Sequence, residues 1–388
     1  MNGGNRLRYV QTDILRVAKR VNNTKRSYLL VNPLQAKHIP VSPTQALEMM
    51  ETLGGQLAQK YPGTKLVIGF AETATAIGAA AASRLGPECL YLHTTREPVP
   101  EVETWALFSE EHSHAVEQKL CGDRLEARLK ETEWVILVDD EISTGKTLRN
   151  MVRKLREQYP GFGEKRLVAA SLLNRVSPED EQRMLEAGLH SEWLVKVTGA
   201  DPAGTAAAFQ VEEAEPAKGA ENTFSHSELD SPPLPDPRRG TPIHRYQEHC
   251  QKMAGAFWTF AASALRGLER IVVLGTEECM YPALVLGREL EHRGYSVQCH
   301  ATTRSPIGLC AAPGYPITSG KKLSSFYEAE RDTYLYNFAP CDALIVVSDA
   351  PTYRQEALNE LTAAWAPWGC GQIYLLQGGR NVWYLSEL

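Results

Sequence analysis

Residues 135–147 read VILVDDEISTGKT. Four apolar residues form a buried strand, two acids stand at its exit, and a short hydroxyl-rich turn opens a helix. Backbone N–H groups in such a turn, with a helix N-terminus behind them, make a cradle for an anion. Ser143, Thr144 and Thr147 add hydroxyl donors, and Gly145 lets a ligand approach closely. The nucleotide-binding pattern G-x-x-x-x-G-K-[ST] fails here, because counting back from Gly145 places Asp140 where the first glycine must stand. Two carboxylates repel a triphosphate but suit a ribose diol, whose vicinal hydroxyls they accept and whose associated cation offsets their charge.

Outward from this stretch the chain repeats itself. The first half has a strand KLVIG ending at Gly69, a small-residue turn with the helix AETATAIGAAAASRL, and a strand ending in the TTR of Arg96. The strand WVILVDD then ends at Asp139 and Asp140. The second half runs RIVVLG ending at Gly275, a turn TEECM with a helix, SVQCHATTR ending at Arg304, and DALIVVSDA with Asp349. Apolar strands alternating with helices imply an α/β fold of two duplicated units, each a parallel sheet covered on both faces. Helices are expected at 43–60, 74–85, 145–158 and 178–187, and at 244–267, 279–293, 324–337 and 354–365. Ligands of open parallel sheets bind beyond the C-terminal strand ends, where Gly69, Arg96, Asp139 and Asp140 lie.

Between the halves, residues 200–240 hold six prolines, more acids than bases, and only Phe209 and Phe224 as aromatics. Such a stretch buries little apolar surface and is expected as a flexible linker. The expected division is 1–199, a linker over 200–241, and 242–388.

Composition excludes several classes. Hydrophobic residues at 43% and charged residues at 23% exclude a disordered or collagen-like chain. A net charge of −6 lacks the bulk attraction that nucleic-acid binders show, so no nucleic-acid partner is expected. Without a membrane-length apolar run or a signal-like apolar N-terminus, the chain is expected in the cytoplasm. The eight cysteines show no C-x-x-C spacing, which argues for free, mostly buried thiols rather than zinc.

Residues 135–147 resemble the phosphoribosyl-pyrophosphate (PRPP) motif of type I phosphoribosyltransferases: four apolar residues, two acids, two variable residues, then a Thr-Gly loop. The resemblance implies two Rossmann-like type I phosphoribosyltransferase-like domains. It also implies that Asp139 and Asp140 hold the ribose hydroxyls and bind Mg²⁺, that Glu141 is among the substrate-binding residues, and that Ser143, Thr144, Gly145, Lys146 and Thr147 hold the 5′-phosphate. Phe70, Ala71, Glu72, Thr73 and Ala74 occupy the place of the pyrophosphate loop, with Glu72 read equally well as a helix-capping acid. Arg96 is placed to pair with the diphosphate. Residues 97–121 correspond to the mobile hood, and their cluster of Glu111, His112 and His114 offers metal or acid–base roles, against the alternative of a solvated loop face. At the N-terminal edge Lys37 and His38 are weaker candidates.

A narrower resemblance comes from LLVNPLQAKHIPVSP, GFAETATAIG, HTTRE, EEHSHA and LVDDEISTGKT in this order. It is to the orotate-phosphoribosyltransferase-like family of bacterial tellurite-resistance and stress gene clusters, whose members carry a C-terminal domain named for a Thr-Arg-Ser-Pro signature. Thr303, Arg304, Ser305 and Pro306 supply that signature. The resemblance implies Mg²⁺-dependent phosphoribosyl transfer from PRPP to a nucleobase-like acceptor, a homodimer, and partner enzymes from one biosynthetic cluster. The rivals are a PRPP-sensing regulator without catalysis and a phosphorylase or hydrolase using the same site. In the second half, Asp349 stands alone with no Thr-Gly-Lys-Thr loop, so ordinary PRPP binding is not expected there. Thr303, Arg304 and Ser305 are expected to line either an altered pocket of that half for a phosphorylated ligand or a structural pseudo-domain.

Overall fold

A computed structural model describes residues 8–21, 23, 26–108, 118–123, 125–219 and 221–385. Two six-stranded sheets form its frame. The first runs Leu90–His93, Leu66–Gly69, Trp134–Ile142, Arg166–Asn174 and Leu189–Lys196 in parallel, with Thr241–Pro242 antiparallel on the edge beside Leu90–His93. The second places Ser296–Ala301, Arg270–Gly275, Ala343–Ser348 and Gln372–Gln377 in parallel, followed by antiparallel Asn381–Leu385 and Ser225–Glu228. The central strands are buried on both faces, which is why they read as unbroken apolar runs rather than alternating ones.

The duplication holds at the level of register. Gly69 faces Val138 and Gly275 faces Val347. Past those valines Asp139 therefore corresponds to Ser348, and Asp140 to Asp349. On the other side Gly69 faces His93 and Gly275 faces Ala301, which aligns Thr94, Thr95 and Arg96 with Thr302, Thr303 and Arg304. Even the loop hydrogen bonds repeat: Ala71 N donates to Thr94 Oγ1 at 2.9 Å, and Glu277 N to Thr302 Oγ1 at 3.0 Å.

Helix Pro43–Lys60 starts where Ser42 accepts from Gln45 N at 3.3 Å and Pro43 supplies a pre-set φ. Its buried Ala46, Leu47, Met50, Leu53 and Leu57 recur at helical spacing. At Gly54 a Cβ would lie 2.8 Å from Ala81 Cα, so the missing side chain lets this helix approach Thr75–Ala82. That second helix is buried all round, as its alanine-rich sequence requires. Helix Tyr281–His292 of the second half packs against both. Thr44 donates to Glu291 Oε2 at 2.5 Å, and Arg288 pairs with Glu51 at 3.0 Å. The larger apolar cluster runs from Ile14 to Val382, through both halves without a break.

Two expectations change. Residues 324–337, expected as a helix, instead carry part of a β-hairpin, Gly320–Ser324 against Asp332–Tyr336. Thr333, Leu335 and Tyr336 are buried there while Tyr334 stacks on Tyr336, and β-branched and aromatic residues suit that half-buried ribbon. Residues 200–241 are not a bare linker. They hold a helix Pro202–Ala207, give one edge strand to each sheet, and bury Ala206, Ala214, Leu229 and Arg238. Prolines lower the entropy lost in fixing such a strap and are compatible with edge positions. Six of the cysteines are buried, and Cys310 and Cys370 are half-buried. Among the described residues no helix is long and apolar enough to cross a membrane.

Candidate functional site

The strand ends of the first sheet open into a cavity of about 440 Å³. Phe70, Ala71, Glu72, Thr73, Arg96, Asp139, Asp140, Glu141, Ser143, Thr144, Gly145, Lys146 and Thr147 all line it. The sequence order thus brings the 70–73 turn, the acids and the 143–147 turn around one space. Ala74 stands behind, capping helix Thr75–Ala82 by backbone alone.

Asp139 and Asp140 share the end of the Trp134–Ile142 strand. Asp140 N donates to Asp139 Oδ1 at 2.9 Å, and Thr73 Oγ1 donates to Asp140 Oδ1 at 2.8 Å. Burial and the neighbouring Asp140 charge push the Asp139 carboxyl well above the usual carboxylate range. Such a pair gains when a cation or hydrogen-bond donors arrive. Glu141 is already engaged: Arg26 binds it at 2.5 Å and Arg175 at 3.2 Å. Its carboxylate is thus neutralised by two guanidiniums at the wall of the cavity.

The 143–147 turn ends at Gly145, with φ +63°, one residue before helix Lys146–Gln158. An L side chain is strained in that conformation, and a Cβ would sit 2.3 Å from Met184 Sδ. Gly145→Ala is expected to cost about 1–2 kcal/mol and to displace the turn. A lowered Tm together with weaker anion binding checks this, and unchanged values for both would contradict it.

The 70–73 turn is held from beneath. Thr94 Oγ1 accepts from Ala71 N and donates to Gln118 Oε1 at 2.6 Å. The peptide between Ala71 and Glu72 is cis. Burial alone would raise the Glu72 carboxyl, but Lys37 at 2.6 Å and Arg304 at 3.5 Å outweigh it and hold the pKa down at about 2. Glu72 is thus ionised at neutral pH. The stability it contributes is present above the ordinary glutamate range and is lost as pH falls through about 2.

Several candidates sit differently from expectation. Lys37 is fully buried and lines no part of the cavity. It binds Glu72 and donates to the Glu277 and Thr302 carbonyls of the second half at 2.9 and 2.8 Å. Its role is to orient Glu72 and tie the halves. His38 is buried beside Tyr336, away from the cavity, and burial followed by the Lys37 charge lowers its pKa to about 3. Glu111, His112 and His114 lie outside the described residues. The strands Trp105–Phe108 and Gln118–Cys121 on either side of them pair antiparallel.

Arg304 and Ser305, expected to line a pocket of their own half, lie at the first half's cavity instead. With Pro306 they close the first half's cavity. Thr303 is buried beside them. The corresponding place in the second half is filled by the strap: Arg238 Nη1 binds Asp349 at 2.5 Å and its Nε binds Glu278 at 2.9 Å. Asp349 is the counterpart of Asp140, so a guanidinium stands where the first half offers open space. This corrects the expectation of an altered pocket there. Sequence reading also missed Arg20, Asn23, Arg26 and Leu29, which form the wall beside Glu141. Their one signal was a basic turn between two short strands, the mixed RVAK and the apolar YLLV.

Residues 14–200 match the family described as phosphoribosyl transferase, and residues 238–365 match the TRSP domain C-terminal to that family. A ribose-phosphate pyrophosphokinase from Methanopyrus kandleri is 30% identical over 123 residues, 31% of this chain and 35% of that protein. The matched region is therefore about a third of that relative's length. Among solved structures, an APRTase from Giardia lamblia shows 15% identity over 47% of this chain and 93% of its own, with a TM-score of 0.35. An adenine phosphoribosyl transferase from Trypanosoma brucei shows 14% identity over 50% and 82%, with a TM-score of 0.36. An orotate phosphoribosyltransferase from Aeropyrum pernix shows 16% identity over 48% and 89%, with a TM-score of 0.26.

Proposed function

We propose, from the premise that residues 14–200 of this chain belong to the phosphoribosyl transferase family and residues 238–365 are its TRSP domain, that the protein moves a phosphoribosyl group from PRPP to a nitrogenous acceptor. Pyrophosphate leaves, and the product is a nucleotide- or nucleoside-like metabolite. The observation that carries this reading is the convergence of Asp139, Asp140, the 70–73 turn and the 143–147 turn on one cavity. Residues 1–199 would hold the reaction, 200–241 the strap, and 242–388 the second half.

In this reading the 143–147 amides and hydroxyls grip the 5′-phosphate, and Asp139 and Asp140 accept the two ribose hydroxyls. The 70–73 turn and Arg96 face the diphosphate. The reaction then needs little covalent help from side chains. The ring must be positioned, positive charge near C1 stabilised by the two carboxylates, and water kept out. The acceptor would enter along the Arg20, Asn23, Arg26 and Leu29 wall, where the Arg26–Glu141 pair fixes one side.

Mg²⁺ fits this donor set in one way. Among the described residues no group of three His, Cys, Asp or Glu could hold a metal. Two adjacent carboxylates completed by phosphate oxygens and water nevertheless match the habit of this ion, and Asp139 and Asp140 would hold it. When bound, Mg²⁺ would offset the charge of the pyrophosphate as it leaves. The test is incubation of the full chain with PRPP, Mg²⁺ and a panel of nitrogenous bases, following pyrophosphate release. Release dependent on one acceptor supports the reading. No release with any base, from folded protein that binds no PRPP, rejects it.

A further inference from the structure

The register of the two sheets makes Arg304 the counterpart of Arg96. Arg96 lines its own half's cavity, whereas Arg304 crosses to line that same cavity. The crossing is part of a reciprocal exchange between the halves. Glu278, the counterpart of Glu72, accepts from Thr95 Oγ1 at 2.7 Å and from Arg96 N at 3.2 Å. Glu72 in turn meets Arg304. Each half's loop acid therefore reaches the TTR end of the other, but where the first half has an open cavity, Arg238 stands at the corresponding place of the second.

The Arg304 guanidinium is held from two sides. Its Nε binds Glu277 Oε2 at 2.6 Å, and its Nη2 binds Glu97. Arg331 shares both acids, pairing with Glu97 at 2.9 Å and Glu277 at 3.4 Å. Among the described residues Nη1 takes part in none of Arg304's hydrogen bonds or ion pairs. A guanidinium fixed through two nitrogens in a residue that lines the cavity is preorganised to receive an anion without further loss of side-chain freedom. The wall it completes lies beside Glu72 and the 70–73 turn, where Arg96 also stands.

We propose that Arg304, delivered by the second half, binds the diphosphate group of the ligand in the first half's cavity, so that the TRSP signature is part of that site and the two halves form one centre. This rests on the reading of the cavity as a PRPP site and assigns its diphosphate end to both halves. Ser305, next to Arg304 on the same wall, is half-buried and gives an independent handle on it.

The experiment titrates the full chain with magnesium pyrophosphate and, separately, with ribose 5-phosphate, for wild type, Arg304→Gln, Ser305→Asp and Asp140→Asn. Losing one charge-assisted contact is expected to weaken pyrophosphate binding about 10–100-fold in Arg304→Gln. Ribose 5-phosphate binding should stay within about twofold in that variant, since the phosphate cradle and the diol acids are untouched. Ser305→Asp brings a negative charge to the same wall and should also weaken pyrophosphate binding, with the Tm unchanged. That variant carries the test if Arg304→Gln, which strands buried carboxylates, fails to fold. Asp140→Asn should lose ribose 5-phosphate instead. Unchanged pyrophosphate affinity in Ser305→Asp and in any folded Arg304→Gln would make Arg304 an interface strut and overturn the proposal. Wild type that binds neither ligand would instead overturn the reading of the cavity itself.

Discussion

The double substitution Asp139→Asn with Asp140→Asn is expected to abolish PRPP turnover, by at least about 10²–10³-fold, while the chain stays folded. The two carboxylates supply the acceptors for the ribose hydroxyls and the negative charge opposite C1, and among the described residues the other acids of the cavity are already engaged. Glu141 is held by Arg26 and Arg175, and Glu72 by Lys37. The fold should not suffer, because burial and Asp140 already disfavour the charged form of Asp139. A carboxyl whose folded pKa lies above its unfolded value loses stability as pH rises through the folded pKa. A neutral amide escapes both the burial penalty and the repulsion from Asp140, so Asp139→Asn alone should raise the Tm even as it removes turnover. Steady-state pyrophosphate release and thermal unfolding check the two halves of this expectation. Retained turnover would contradict the role, and a lowered Tm would contradict the electrostatic account.

Arg238→Met is expected to destabilise the protein by about 3–5 kcal/mol. Arg238 is 4% exposed and sits between the buried Glu278 and the half-buried Asp349. Burial alone would raise the Glu278 and Asp349 carboxyls, yet Arg238 holds both below their usual range. Removing the cation leaves, among the described residues, the buried Glu278 with only Arg304 at 3.5 Å as a cationic partner and Asp349 with the Tyr327 hydroxyl, which costs more than the ion pairs themselves contribute. Arg238→Lys should recover only part of the loss, since one ammonium cannot match a guanidinium that meets both acids through separate nitrogens. Urea unfolding measures the difference, and an unchanged midpoint in Arg238→Met would show that the strap does not clamp the second half.

The local order of the chain made much of this architecture legible. Residues 135–147 declare strand, acids and turn in one line, and the repeated TTR ends declare the duplication. The strand ends converge as open parallel sheets require, which places residues 139–147 beside 70–73 and Arg96. What stayed hidden depends on contacts far apart in sequence. Arg304 looks like part of its own half because its neighbours in sequence belong there, and the packing of the second half on the first, through helix Tyr281–His292 and the Arg20–Ile307 and Val41–Cys299 bridges, places it at the other cavity. Lys37 follows a strand and resembles a surface lysine, yet Glu72 and two carbonyls 240 and 265 residues away bury it. Arg238 lies in a proline-rich stretch whose composition suggests mobility, but composition does not reveal that Glu278 and Asp349 await a cation. The hairpin of Gly320–Ser324 and Asp332–Tyr336 is hidden in the sequence because its acidic turn interrupts the alternation that marks Asp332–Tyr336 as a strand.

Isothermal titration calorimetry of the full chain with PRPP in the presence of Mg²⁺ bears most directly on the cavity's assignment. Saturable binding is expected, competed by ribose 5-phosphate and lost in the Asp139→Asn, Asp140→Asn double variant. Folded wild-type protein that takes up no PRPP, or a double variant that binds it as tightly as wild type, would contradict that assignment.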